Sequence, residues 1–177
     1  ILVCMFLWSG ASVGDQGFAV PMSAGQDMHV RSSKMTVLTE PPVLWDHIIG
    51  FSGGVTISVG DNRLSGQEGF IWLKTQGASS LNPDERYYQA YVYLEGNVLI
   101  EQGPRSRTTA LKQATVQGAD ALATQFLVTG EVFSVAEQRT RTSFASVRSE
   151  PIYQRGIGAL SPLAFGPGIP KGAHVPM

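Results

Sequence analysis

The chain has 177 residues, of which 43% are hydrophobic and only 15% are charged, and its formal net charge is -1. This length fits one domain that can bury a core without metal or disulfide support. A net charge near zero supplies no broad basic field for a nucleic-acid backbone, and no apolar run is long enough to cross a bilayer as a helix. Cys4 is the single cysteine, which excludes an internal disulfide.

The first eight residues, Ile1 to Trp8, form an unbroken apolar run that is followed by Ser9, Gly10 and Ala11. This order is typical of the end of a secretory signal peptide with small residues at its cleavage site. We therefore expect residues 1–19 to be a signal peptide that lacks its start, and the protein to be exported to the periplasm or cell envelope. The alternative is that the run forms a buried first strand.

Apolar residues then recur mostly at alternate positions, and this period of two predicts strands. Residues 28–38 predict a first strand, and residues 55–59 predict a strand that ends at a Gly-Asp-Asn turn. Segments 63–74 and 87–94, and shorter segments up to residue 147, continue the pattern. Only residues 119–125 are compatible with a helical turn.

These elements predict one all-β domain over residues 28–160. From residue 161 to residue 177 the chain is dense in proline and glycine, which predicts an extended tail or linker.

Three segments share one pattern, in which an apolar residue, a glycine, a free position and a valine follow in order. They are FSGGVTI at residues 51–57, LEGNVLI at residues 94–100 and VTGEVF at residues 128–133, and an arginine follows each of them. A glycine in such a unit permits a sharp bend or a positive φ between two strand segments. The repeat predicts stacked, V-shaped β layers in which Gly54, Gly96 and Gly130 occupy equivalent bends.

The segment from Tyr93 to Gly103, YLEGNVLIEQG, resembles the G-N-V-x-hydrophobic-x-Q-G signature of the OstA/LptA family of lipopolysaccharide-transport proteins, which includes the N-terminal part of LptD. Residues 54–59 with Arg63-Leu64, and residues 130–135, are similar but more divergent. So are residues 66–73, where the family often has an alanine-rich return strand and this chain has Gly-Gln-Glu at residues 66–68.

The resemblance covers residues 35–160. It implies an antiparallel β-jellyroll folded like a half-open taco, whose apolar groove receives the acyl chains of lipopolysaccharide. It also implies that such domains, or further copies of this chain, join edge to edge. Strand addition at unpaired edges is the physical basis of that assembly.

Strand alternation predicts which side chains face the interior. The set consists of Val55, Ile57, Val98, Ile100 and Val132, together with Trp72 on a return strand. Ile71 and Leu73 make the other face of the Trp72 strand equally apolar. The same set fits either a lipid groove or a closed core.

Four arginines form the second predicted site. Arg105, Arg107, Arg139 and Arg141 are expected in turns that stacking brings to one edge, where they can donate charge-assisted hydrogen bonds to lipid phosphates. The alternative is that they are solvated turn residues.

Other chemistry lacks a motif. The three histidines have no paired ligand spacing, so we expect no metal site and no cofactor. The sequence contains no nucleophile elbow and no phosphate-binding loop, and no acid pair is recognisable. We therefore expect a non-catalytic lipid-binding bridge protein for lipopolysaccharide transport. The rival classes are a secreted β-sandwich or β-solenoid module for glycans or surface attachment, a structural scaffold and, more remotely, a secreted carbohydrate hydrolase.

Overall fold

Strands dominate the structure, as the alternating sequence pattern predicts. The computed structural model describes residues 27–76, 87–102 and 115–165. Their elements are β1 (Met28–Thr39), β2 (His47–Val59), β3 (Asn62–Gly66), β4 (Glu68–Gln76), β5 (Tyr87–Gln102), β6 (Thr115–Val128), β7 (Val132–Ser143), α1 (Phe144–Val147) and α2 (Pro151–Phe165). The prediction of a β protein is confirmed, with two helices added.

The seven strands form one sheet. β6 lies at one edge, beside β5. β3 and β4 lie one after the other between β5 and β2. β1 follows β2, and β7 lies at the other edge, beside β1. All pairs are antiparallel except β1 with β7, which runs parallel from Met28 beside Val132 to Thr39 beside Ser143. The sheet is therefore mixed, and the prediction of a purely antiparallel sheet is wrong at this edge.

A line of irregularities crosses the sheet at mid-strand. Gly54 in β2 and Gly96 in β5 both have a positive φ, of 92° and 82°. Between them lies Gln67, which separates β3 from β4. The Gly54 N–H donates to the Gln67 carbonyl at 2.9 Å, and the Gln67 N–H donates to the carbonyls of Glu95 and Gly96 at 3.0 Å. The two repeat glycines thus occupy neighbouring bends, as the repeat predicts.

Gly130 does not share this position. It lies in the connection between β6 and β7 and interrupts neither strand. The prediction of a third equivalent bend is therefore wrong. Two copies of the pattern mark bends within long strands, whereas the third copy marks a change of strand, because glycine satisfies the backbone requirements of either.

The short connection between β6 and β7 forces the sheet to curl. These strands are opposite edges of the described sheet, and five strand spacings separate them, which is about 24 Å in a flat sheet. The four residue steps from Val128 to Val132 reach at most about 14 Å. The last residue of the connection, Glu131, is fixed on β1, because the Met28 N–H donates to its carbonyl at 2.9 Å. The two edges must therefore approach each other at this end.

The helices were not predicted. Residues 119–125, which are compatible with a helical turn, are part of β6, and the helical structure lies instead at Phe144–Val147 and Pro151–Phe165. α2 extends five residues into the segment predicted as an extended tail, so a tail beginning at residue 161 is wrong for those five residues. The rest of the predicted tail and the predicted signal peptide lie outside the described residues.

Candidate lipid-binding interior and basic rim

One face of the sheet carries a large apolar cluster, called here the interior cluster. Its buried members are Met28, Val30, Met35, Phe51, Val55, Ile57, Val59, Leu64, Ile71, Leu73, Ala90, Val92, Leu94, Val98, Ile100, Leu122, Phe126 and Val128. They come from both sides of the line of bends and from every strand except β7. α2 packs on the opposite face, so in the described part of the chain sheet residues bury this cluster.

Five of the six side chains predicted to face inward lie in or against this cluster. Val55, Ile57, Val98 and Ile100 are each 3% exposed or less. Val132 is partly buried and packs against the cluster from β7. The alternation that predicted them persists on either side of the bends, which explains why the assignment succeeds.

Trp72 is the exception, and its predicted grouping is wrong. It is fully buried, but it belongs to a second cluster on the other face of the sheet, called here the outer cluster. Ile71 and Leu73, its neighbours on β4, are the residues that face the interior cluster. Both faces of β4 are covered, so alternation alone does not assign its phase.

The outer cluster is largely aromatic and lies beneath the helices. Its buried members are Leu38, Trp45, Ile48, Phe70, Trp72, Tyr91, Tyr93, Val147, Tyr153 and Leu160. Tyr153 of α2 meets the rings of Phe70 and Trp72 at centroid distances of 5.4 and 5.6 Å. The strand pattern of the sequence did not predict this layer. Its available signals were Pro151 at a helix start and apolar residues at 152, 153, 157 and 160, a helical spacing.

A bulge in β1 changes which residues face inward. Before Ser33, even-numbered residues such as Met28 and Val30 join the interior cluster; after it, Met35 does. The pairing of β1 with β2 shifts by one residue at this point, whereas β7 keeps its register with β1 throughout. On β7 the residues that face inward therefore also change at this point, from even-numbered to odd-numbered positions.

This change of parity places two predicted arginines on the interior face. Arg139 and Arg141 lie directly beside Met35 and Val37 on β1, and paired residues of a parallel ladder share a face. Both arginines are exposed, and Val37 is partly buried against the interior cluster. We call these four residues the basic rim. The arginines were predicted in turns but lie within β7; Arg105 and Arg107 lie outside the described residues.

A polar latch fixes α2 to the sheet. The Arg155 guanidinium donates two hydrogen bonds to the Glu95 carboxylate, one of them from Nε at 3.0 Å, and the Tyr93 hydroxyl donates to the same carboxylate at 2.9 Å. Arg155 holds the pKa of Glu95 below its ordinary value, with a smaller contribution from Tyr93, and burial opposes this only in part. The latch is therefore strongest while Glu95 is ionised.

The opposite, outward side of the β1–β7 edge is exposed. His29 stacks on Phe133 with ring centroids 5.0 Å apart, and Phe133 and Val135 are 47% and 60% exposed. Beyond β7 no described strand continues the sheet, and the same holds beyond β6. Within the part of the chain that the structure describes, both edges thus present backbone groups that another strand can pair with.

Across the three described ranges, no group of three or more His, Cys, Asp or Glu side chains is placed to hold a metal ion. Neither described helix is long and apolar enough to pass through a bilayer. Comparison with models of known families, with curated proteins and with solved structures finds no match to this chain.

Proposed function

We propose that this chain is a non-catalytic cell-envelope protein that holds the acyl part of an anionic amphiphile, lipopolysaccharide or a lipid of similar chemistry, in the interior of its bent sheet. The basic rim carries this proposal: two cationic side chains stand on the same face as a continuous apolar cluster and directly beside its partly buried edge. An anionic amphiphile needs this combination of an apolar surface and adjoining guanidinium groups.

The energetic reason is simple. Each methylene that leaves water gains about 0.8 kcal/mol, so an acyl chain transferred between a membrane and an apolar interior passes between two environments of similar free energy. Transfer then requires no hydrolysis by the protein itself. The Arg141 guanidinium, together with that of Arg139 once it exchanges its hydrogen bond to the Ser134 carbonyl, provides charge-assisted hydrogen bonds to phosphate, which select the headgroup.

The finer fold assignment belongs to the same proposal. The neighbouring bends at Gly54, Gln67 and Gly96 favour a folded, taco-like β-jellyroll over a flat sheet. The two sheet edges, β6 and β7, favour assembly by strand addition with further copies or related domains, as the resemblance to the OstA/LptA family implies. Export delivers the chain to the periplasm, which is the compartment in which such a bridge operates.

A second function, a closed scaffold or binding module of the cell surface, is favoured by a different observation. The interior side chains are almost fully buried by one another, and the β6–β7 connection draws the edges together. A lipid-binding interior must open at the rim, whereas a scaffold keeps it closed.

Photo-crosslinking separates the two functions. A photoreactive residue at Val37, on the rim, is compared with one at Phe133, on the outward face of the same edge. We expect lipopolysaccharide to crosslink at residue 37 and not at residue 133, and the double variant Arg139→Ala, Arg141→Ala to reduce the yield while its circular dichroism is unchanged. Equal yields at both positions, or no lipid adduct on a folded chain, would refute the lipid proposal.

A further inference from the structure

β7 is the least buried of the described strands. None of its twelve residues is buried, whereas each of the other six strands has at least one buried residue. Only Val132 and Ala136 pack against the interior cluster. Among the described strands its backbone pairs only with β1, and in the parallel direction, which is slightly less stable per residue than antiparallel pairing. Besides this ladder and the hydrogen bonds that Thr36 makes with Thr140 and Thr39 makes with the Thr142 carbonyl, β7 is held by contacts made outside the strand itself.

Those contacts lie in the two helices that follow. Val147 of α1 is buried in the outer cluster, and Phe144 packs against Tyr153 with ring centroids 5.8 Å apart. α2 then crosses the outer face, where Arg155 pairs with Glu95 and Gly156 lies against Trp72. Residues 132–165 thus form a C-terminal strap that runs from the β1 edge to the centre of the sheet, and its far end is the firmly packed one.

We infer that β7 is a replaceable edge strand, which α2 holds on β1 and which gives way to an antiparallel strand from a second copy of this chain. Replacement leaves β1 paired along its length and exchanges a parallel ladder for an antiparallel one. The inference rests on the strand-addition part of the proposed function and does not require lipid binding.

The donor strand is β6 of the second copy. β6 has 14 residues, enough to cover the 12 residues of β1, and it pairs only with β5 in the described sheet. β6 contributes Leu122, Phe126 and Val128 to its own core, so it stays in place in its own copy while its outer edge serves as the template. The strap therefore acts as an internal competitor for the β1 edge, and release of α2 removes the competitor.

The test uses the full chain and two matched helix variants. Gly156→Val forces branched carbons against Trp72, since a Cβ atom at residue 156 would already lie 2.7 Å from that ring. Gly158→Val has the same helix propensity, but nothing lies within 4 Å of its Cβ position. A photoreactive residue at Thr36, which neighbours Thr140 of β7 at an Oγ1–Oγ1 distance of 3.0 Å, reports which strand lies beside β1.

In wild type and Gly158→Val we expect crosslinks from residue 36 to β7 of the same chain. In Gly156→Val we expect about tenfold faster amide exchange in β7, continued protection of β1, a dimer by light scattering, and crosslinks from residue 36 to β6 of a second copy. If the β4 amides also exchange faster in Gly156→Val, the same measurements are made on the milder Arg155→Ala variant.

Several results would overturn the inference. If the β7 amides exchange as slowly as in wild type after α2 is released, the helix does not hold β7. If the amides of both β7 and β1 exchange faster and the chain stays monomeric, no strand replaces β7. Wild-type chains that associate with β7 still paired to β1 would leave strand addition intact and refute only replacement, whereas monomers under every condition would refute strand addition itself.

Discussion

Gly156 of α2 lies so close to Trp72 of β4 that a Cβ atom at residue 156 would be 2.7 Å from the indole atom Cη2. Tyr93 of β5 crowds the same point, with its ring atom Cδ1 at 3.2 Å. Since carbon atoms in contact lie about 3.5–4.0 Å apart, any side chain here displaces the helix or the rings. The missing side chain is what lets α2 lie directly on the outer cluster.

Replacing Gly156 by alanine should therefore destabilise the protein by about 1–3 kcal/mol, the usual effect of overpacking. The matched change Gly158→Ala meets open space and should stabilise the exposed helix by up to about 1 kcal/mol. Urea unfolding followed by tryptophan fluorescence measures both free energies of unfolding. Two alanine variants of equal stability would show that α2 does not pack closely at residue 156.

The latch predicts a specific acid sensitivity. The pKa of Glu95 is lowered by its hydrogen bonds from Arg155, so its contribution to stability is present above the ordinary carboxyl pKa and is lost as the pH falls through the lowered value. Glu95→Gln should weaken α2 docking near neutral pH and flatten the stability decline in acid.

Thermal unfolding of wild type and Glu95→Gln between pH 7 and pH 3 checks this prediction. Asp46 also has a lowered pKa, caused by hydrogen bonds from Thr75, so part of the acid sensitivity should persist in the Glu95→Gln variant. Parallel pH profiles for the two proteins would contradict the assignment of the latch to Glu95.

Much of the interior was predictable because local alternation determines it. Val55 and Ile57 lie on one side of a bend and Val98 and Ile100 follow another, and in each case the period of two survives to the strand end. Trp72 was misplaced because α2 covers the second face of β4, and apolar residues then occupy both phases. A covered face leaves no polar residue to mark the outside.

The basic rim and the curl of the sheet depend on long-range pairing. Nothing local in the sequence announces that a bulge at Ser33 changes the parity of β1, or that β7 follows the same parity across more than a hundred residues. The repeat pattern is likewise ambiguous, because Gly130 fits a strand connection as well as a bend. Local physics decides strand and face, whereas pairing decides which side chains become neighbours.

The bend glycines make a further prediction, because Gly54 has open space around it but a φ of +92°. Gly54→Ala should therefore lower the free energy of unfolding by about 1–2 kcal/mol through backbone strain alone. Gly118→Ala on β6 is the control. A Cβ atom there meets only the Val98 carbonyl, at 4.0 Å, and φ is not in the left-handed region. This change should raise the free energy of unfolding by about 0.5–1 kcal/mol. Chemical denaturation measures the pair, and a neutral Gly54→Ala would argue against a fixed bend.

Adjacent residues on β5 test the assignment of the two faces. Ile100 is 3% exposed within the interior cluster, whereas Leu99 is 45% exposed on the other face. Ile100→Ala removes methylenes from a packed site and should lower the free energy of unfolding by about 2–5 kcal/mol. Leu99→Ala removes a similar volume from a largely solvated site and should change stability by about 0.5 kcal/mol or less. Both changes truncate a four-carbon aliphatic side chain on one strand, and the strand-propensity scale spans only about 1 kcal/mol, so a larger difference between them measures burial. Comparable losses in the two variants would mean that both faces of this strand are covered, which would contradict the assignment of Leu99 to a solvated face.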